Sequence, residues 1–447
     1  MRPTLSVIAC ALTATLTAVL GAPGSAAPAR VTSAAARADA QVVSPEGAVA
    51  AHAEQATDRQ GDTAYLYALG TQPDASLALR IRRADGTLSP VAEVSPLPAD
   101  AFAATGVGVD RRGNGVVAWE QVPIGGELQP RVMARTFDAA GRTGPLVQVS
   151  PPDHSASGVE VAVRPGGTAV VTWTRVIDNG YEPWMRLLAP DGRLGSPQRV
   201  GDGPDGQAPL VAVSRTGATT LVWSDTHLYA RRVSPSGRMG PTRRLRRATT
   251  VDESLTVDEL GVDRRGVIVA VGTRWTPNTA TYPQQDNSHE ITAWWRISPR
   301  LRLKAPVRTF APRKEPLGRV DVAVSDSGHA VLGWQRTFYD GAFVRLVAPD
   351  GSLGRVHRLA DGGLGDVALR PDGSGVVASS GRDGSGLLTE VWATPLRVGG
   401  AGRSRRVALS AGDISYLRAG VGGPGRAVLT WAEPGNARIL SVAVRAR

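Results

Sequence analysis

Short apolar runs return along this chain at one period. Val107–Trp119 (VGVDRRGNGVVAW), Val161–Trp173 (VAVRPGGTAVVTW), Val211–Trp223 (VAVSRTGATTLVW), Val322–Trp334 (VAVSDSGHAVLGW) and Ala419–Trp431 (AGVGGPGRAVLTW) share a frame. Each has an apolar strand, a turn closing on Gly, and a β-branched strand that reaches Trp six residues after that Gly. Thr57–Tyr67, Leu260–Gly272 and Val367–Ser379 keep the frame in weaker form. The turn glycines Gly61, Gly113, Gly167, Gly217, Gly266, Gly328, Gly373 and Gly425 stand 45 to 62 residues apart. A second strand pair follows each Trp, as in Met133–Ser150, Met185–Val200, Ala230–Leu245 and Val344–Leu359. Asp191-Gly192 and Asp350-Gly351 mark its turns, because Gly accepts the positive φ of a tight turn. Four short strands to a unit, with no sustained 3.6-residue period, predict an all-β fold: a β-propeller of about eight four-stranded blades. Seven blades remain open if the unit near 364–411 is an elaboration, but its Gly373 and valine strand favour eight.

The ends of the repeat predict how the ring closes. Glu93-Val94-Ser95-Pro96 and Gln148-Val149-Ser150-Pro151 end fourth strands, and Val42-Val43-Ser44-Pro45 matches them ahead of the first unit. The last unit, Leu417–Arg447, stops after its third strand. The N-terminal strand is therefore expected to complete the last blade, which removes an open seam of unpaired strand edges.

Composition refines this picture at the N-terminus. Arg2, the uncharged run Leu5–Leu20 and the small residues Gly24-Ser25-Ala26-Ala27 have the form of a secretory signal. The expected organisation is a signal peptide over 1–27, a flexible leader over 28–39 and one propeller domain over 40–447. No later run is apolar enough to span a bilayer, so a released, extracellular product without stable membrane insertion is expected. Cys10 is the only cysteine, so the mature part has neither disulfide nor thiol chemistry. The net charge is +11, nearly all of it from arginine, since Lys304 and Lys314 are the only lysines. No long basic run accompanies it, which argues against nucleic acid as a partner.

The pattern V-x-V-D-x-x-G-x-x-V-V-x-W followed by A-R-x-x-x-x-x-G resembles repeats of secreted actinobacterial propeller proteins. That resemblance implies a fold and a secretion habit and carries no catalytic residues. The sialidase Asp-box needs Trp three residues after its Gly, where the gap here is six. The Gly-His and Trp-Asp signature of WD40 repeats is absent.

The Trp residues fall at one repeat-locked position and read as packing between blades. Residues that break the repeat, in the loop joining second and third strands, are the better candidates for ligand contact. They are Arg175, Asp178, Tyr181, Trp184, Asp225, Arg274, Arg336, Tyr339 and Asp340, with a sugar as a suitable partner for the aromatic, acid and guanidinium mixture. Two places after the Trp slot, Gln121, Arg175, Asp225, Arg274, Arg336 and Glu433 form a polar series expected near the channel mouth. Six scattered histidines, no H-E-x-x-H, no G-x-S-x-G and no P-loop leave no metal, cofactor or catalytic residue to assign. Asp110 and Asp263 read as caps of their own turns. The expected function is a secreted, non-catalytic, monomeric propeller that binds or scaffolds an extracellular glycan or protein. The alternative is a propeller glycoside hydrolase or polysaccharide lyase using carboxylates of the loop face.

Overall fold

The computed structural model describes residues 40–445, apart from 46–49, 71–74, 96–99, 124–128, 179, 202–207, 225, 247–253, 277–288, 305–307, 310–316, 337–340, 360–361, 411, 424 and 434–437. The expected signal peptide and leader lie outside the described residues. The chain is an eight-bladed β-propeller, and no helix occurs among the described residues. Each blade is an antiparallel sheet whose strands pair in chain order. The first strands are Ala50–Thr57, Asp100–Val109, Ala156–Val163, Leu210–Val213, Glu259–Val262 (preceded by Ser254–Leu255), Leu317–Val324, Gly363–Leu369 and Ser415–Gly422. Each touches the first strand of the blade on either side, and the last touches the first of the chain, so these eight strands wall a central channel.

Closure is as the repeat predicts. Gln41–Val42 pairs with Arg438–Arg445, the third strand of the last blade, and becomes its outer strand. Val43 is fully buried, its N–H donates to the Ile439 carbonyl at 2.8 Å, and the Ile439 N–H donates to Ser44 Oγ at 3.1 Å. Inner blades repeat this geometry: Val149 N–H to the Val132 carbonyl at 2.7 Å, and Val132 N–H to Ser150 Oγ at 3.0 Å. The Val-Ser-Pro motif is thus one device. The valine fills the gap between blades while the serine hydroxyl satisfies an N–H that the short outer strand leaves open.

The turn glycines all sit at φ between 72° and 99°, a region closed to most side chains, which is why the repeat keeps Gly there. Asp110 accepts the N–H groups of Arg112 and Asn114 at 2.7 and 3.1 Å, and Asp263 those of Arg265 and Val267 at 2.8 Å, so both cap their own turns. Trp119, Trp173, Trp334 and Trp431 are buried between sheets, with Tyr67 in the same slot of the first blade. In the fifth blade that slot is Gly272, where a Cβ would stand 2.0 Å from the Thr256 carbonyl oxygen, and the bulk comes instead from Trp294 and Trp295 on the third strand.

Much of the arginine content is absorbed by the scaffold. Arg186 Nε donates to the Gly195 carbonyl of its own hairpin at 2.6 Å, and its Nη1 to the Val149 carbonyl of the preceding blade at 2.9 Å. Arg80 joins Ser89 to Val43, and Arg231 joins Gly240 to Val200, in the same way. One planar guanidinium reaches two carbonyls at once, which an ammonium on a flexible stem does not.

Candidate functional site

Seven residues before each turn glycine, every first strand presents one position to its neighbour and to the channel. Around the ring these are Glu54, Gly106, Glu160, Leu210, Glu259, Asp321, Asp366 and Arg418. Five carboxyls and one guanidinium thus share a level of the channel. Glu160 of blade three is electrostatically coupled to Glu259 of blade five and Glu54 of blade one. Groups from non-adjacent blades act on one another in this way only across the channel.

The belt has an ordered half and an open half. Arg418 Nη2 donates to Glu54 Oε1 at 2.8 Å, bridging the last blade to the first. Asp366 Oδ2 accepts the Ala419 N–H at 2.8 Å, and Asp321 Oδ2 accepts the Val367 N–H at 2.7 Å, so each aspartate ties its blade to the next. Asp321 is buried, and burial, the charges of Asp366 and Glu259 and a hydrogen bond with Asp366 push its pKa well above the usual range. Glu160 and Glu259, by contrast, lie deep within the ring but open to the channel. Depth and neighbouring carboxylates raise Glu160 to about 8, with Arg418 opposing. Depth and Asp366 raise Glu259 to about 7, with Arg418 and Arg319 opposing. Burial works against the Arg418 charge, yet Glu54, Asp366 and Asp321 outweigh it and its pKa rises.

Beside Arg418, Tyr416 lies in a bulge of the first strand at φ 52°, a left-handed conformation that costs a bulky residue about 1–3 kcal/mol. The third blade places Gly158, φ 61°, in the corresponding bulge. Bulges of this kind redirect side chains. Burial and the Glu54 charge raise the Tyr416 phenol pKa, with the Arg418 charge opposing. Among the described residues, no group of three or more His, Cys, Asp or Glu is arranged to hold a metal ion.

Those of the residues expected from repeat-breaking loops that the structure describes lie apart from this belt. Arg175, Asp178, Tyr181 and Trp184 belong to the hairpin of strands Ala169–Ile177 and Gly180–Leu188 in blade three. Arg175 Nη1 lies 3.6 Å from Glu182, and Arg199 of the outer strand lies 3.1 Å from the same carboxyl. This row runs outward across the blade, away from the axis. Trp184 donates to Glu182 at 3.4 Å, stacks on Trp173 at 6.4 Å and meets the His154 ring edge-on at 4.9 Å. Trp184 therefore extends the aromatic packing of the blade. Tyr181 is 48% exposed and Asp178 is exposed at the hairpin tip. Arg336, in blade six, sits 4.9 Å over the Phe343 ring. Arg274 lies on the strand Ile268–Thr276, opposite Ile291. Asp225, Tyr339 and Asp340 lie outside the described residues. Of the polar series after the Trp slot, Glu433 is buried and pairs with Arg438 of its own hairpin at 2.9 Å.

No family model matches the chain, and no curated protein matches it. Solved structures of similar fold include the Dos1 propeller, at TM-score 0.48 and 10% identity over 89% of this chain and 95% of that one. The polysaccharide lyase Uly1 aligns at TM-score 0.47 and 10% identity over 78% and 90%. An α-L-arabinofuranosidase of Fusarium graminearum aligns at 0.42 and 11% over 77% and 93%. These likenesses concern the fold.

Proposed function

We propose that this chain is an exported, non-catalytic binding propeller that takes an extracellular glycan at the acid belt of its channel. The observation behind this reading is the gathering of five carboxyls and one guanidinium at one level of the channel, where depth and mutual repulsion raise the pKa of Glu160, Glu259 and Asp321. A fully ionised ring of carboxylates would call for cations. Glu160, Glu259 and Asp321 hold protons far more readily than ordinary carboxyls, so the wall offers O–H donors beside acceptor oxygens. Sugar hydroxyls, each a donor and an acceptor, match such a surface. The exported location rests on the form of the N-terminus.

A hydrolase reading is less well supported. A glycosidase keeps its two carboxyls about 5–9.5 Å apart to flank a scissile bond. Asp321 and Asp366, the closest carboxyl pair of the belt, are hydrogen-bonded to each other and each to the next blade, which leaves no room for substrate between those two.

Glycan-array screening of the mature chain, then calorimetry on a confirmed ligand, tests the proposal. Glu259→Ala and Glu160→Ala, which remove donor and acceptor together, should each weaken binding by about tenfold, the equivalent of ~1.4 kcal/mol. Tyr181→Ala should leave binding unchanged. Parent-like affinity in both alanine variants, with loss in Tyr181→Ala, moves the site to the blade-three hairpin and overturns the channel reading.

A further inference from the structure

The channel mouth at the first turns has the reverse electrostatic character of the belt. Two residues before each turn glycine, the first turns present Arg59, Arg111, Pro165, Arg215, Arg264, Asp326, Pro371 and Gly423. Arg59, Arg111 and Arg215 come from blades one, two and four, and Asp326 from blade six. Arg215 Nη1 lies 2.6 Å and Arg59 Nη2 3.4 Å from the same Asp326 oxygen. Arg111 Nη2 donates to the Arg215 carbonyl. Side chains from blades one, four and six meet only by reaching across the channel, so the cluster spans this mouth. Arg264 is exposed on the same ring of turns.

The balance of charge and hydrogen bonds at this mouth is uneven. Three guanidiniums offer fifteen N–H donors by their chemistry, and the one carboxylate between them has two oxygens. The guanidiniums are close enough that Arg111 and Arg215, after burial, lower the Arg59 pKa despite the opposing pull of Asp326. Like charges gathered by a scaffold, half-shielded and short of acceptors, are the arrangement that tetrahedral oxyanions satisfy, each oxygen taking a charge-assisted N–H bond.

We propose that this mouth is an oxyanion site, in which Arg59, Arg111 and Arg215 take a phosphate or sulfate group and Asp326 holds the guanidiniums converged in its absence. The site is separate from the acid belt and stands whether or not a glycan binds there. The group arrives either as a free ion or carried on a polymer.

Calorimetric titration of the mature chain with inorganic phosphate, and separately with dextran sulfate, tests this. Phosphate should bind the parent, and Arg215→Gln and Arg59→Gln should each weaken it about tenfold, corresponding to ~1.4 kcal/mol. Asp326→Asn keeps an amide oxygen to hold the guanidiniums and removes the one competing negative charge, so it should tighten binding. Dextran sulfate affinity that falls much more steeply than phosphate affinity between about 50 and 200 mM salt identifies a polymeric ligand engaging several arginines. Parallel salt dependence identifies a free ion. Thermal melts separate lost binding from lost fold, and Arg111→Gln replaces any variant that does not fold. No phosphate binding by the parent, or equal binding by the parent and the arginine variants, overturns the proposal. So does weaker binding by a folded Asp326→Asn protein.

Discussion

The closing strand allows a quantitative test, because inner blades carry the same local contacts without closing anything. In the double variant Val43→Ala, Ser44→Ala, the first change removes two methyl groups from a fully buried side chain packed among Tyr65, Tyr67, Val428 and Ile439. At about 0.8 kcal/mol per buried carbon, with a cavity contribution, that costs roughly 2–3 kcal/mol. The second change strips the partner from the Ile439 N–H, at about 1–3 kcal/mol. A cooperative unit of about 400 residues has an unfolding entropy near 0.8 kcal/mol/K, so a total of ~3–6 kcal/mol lowers the melting temperature by about 4–7 °C. Val149→Ala, Ser150→Ala makes the same deletions at an internal blade and should cost a similar amount. The two differ in consequence. Only the Val43 variant loosens the chain end and bares the edge of Arg438–Arg445, so only it should oligomerise with rising concentration and be cleaved near residue 40 under native conditions. Scanning calorimetry, light scattering and limited proteolysis read these effects. A Val43 variant that melts within a degree of the parent, or that scatters and digests like the Val149 variant, refutes the reasoning.

Three further outcomes follow from named contacts. Glu160 and Glu259 have pKa values raised above 4.5 by folding, so their protons are bound more tightly in the native state. Their contribution to stability is intact below about pH 4.5 and is lost as pH rises towards 8. Denaturant midpoints should therefore fall between about pH 5 and 8, and the Glu160→Gln, Glu259→Gln pair should flatten that slope; a slope unchanged by the pair rejects the belt's role. Trp173→Ala should cost about 3–5 kcal/mol by urea unfolding, since the ring is fully buried against Trp184 and its neighbours; a loss under ~1 kcal/mol contradicts that packing. Arg186→Lys should cost about 1–2 kcal/mol, one of the two carbonyls Gly195 and Val149 losing its donor, and an unchanged midpoint shows that the guanidinium fork is dispensable.

The architecture was legible because its determinants are periodic. Gly at positive φ, the Trp slot and the Val-Ser-Pro strand ends each recur in sequence as they recur in space. The belt has a period too, but not one of residue type. Glu54, Gly106, Glu160, Leu210, Glu259, Asp321, Asp366 and Arg418 differ in charge and size, and all but Glu54 stand immediately before the first apolar residue of their frame. Counting back from the turn glycine recovers the column, though only the closed ring turns Glu160 and Glu54 towards one channel. The hairpin of blade three breaks the repeat for a different reason. Its irregular residues are largely occupied with one another, Arg175 and Arg199 around Glu182 and Trp184 against Trp173, so local departure from the repeat there reflects local packing.

The outer strand of the last blade also sets an order of events in synthesis. Chains emerge N-terminus first, at about 5–20 residues per second. Gln41–Val42 is therefore among the earliest described segments to appear, yet its partner, Arg438–Arg445, is among the last. For the roughly 20–80 seconds that separate them at that rate, this first segment has no native place to go. It is a short, proline-ended stretch of mixed polarity, Gln41-Val42-Val43-Ser44-Pro45, poorly suited to pairing with the wrong blade while it waits.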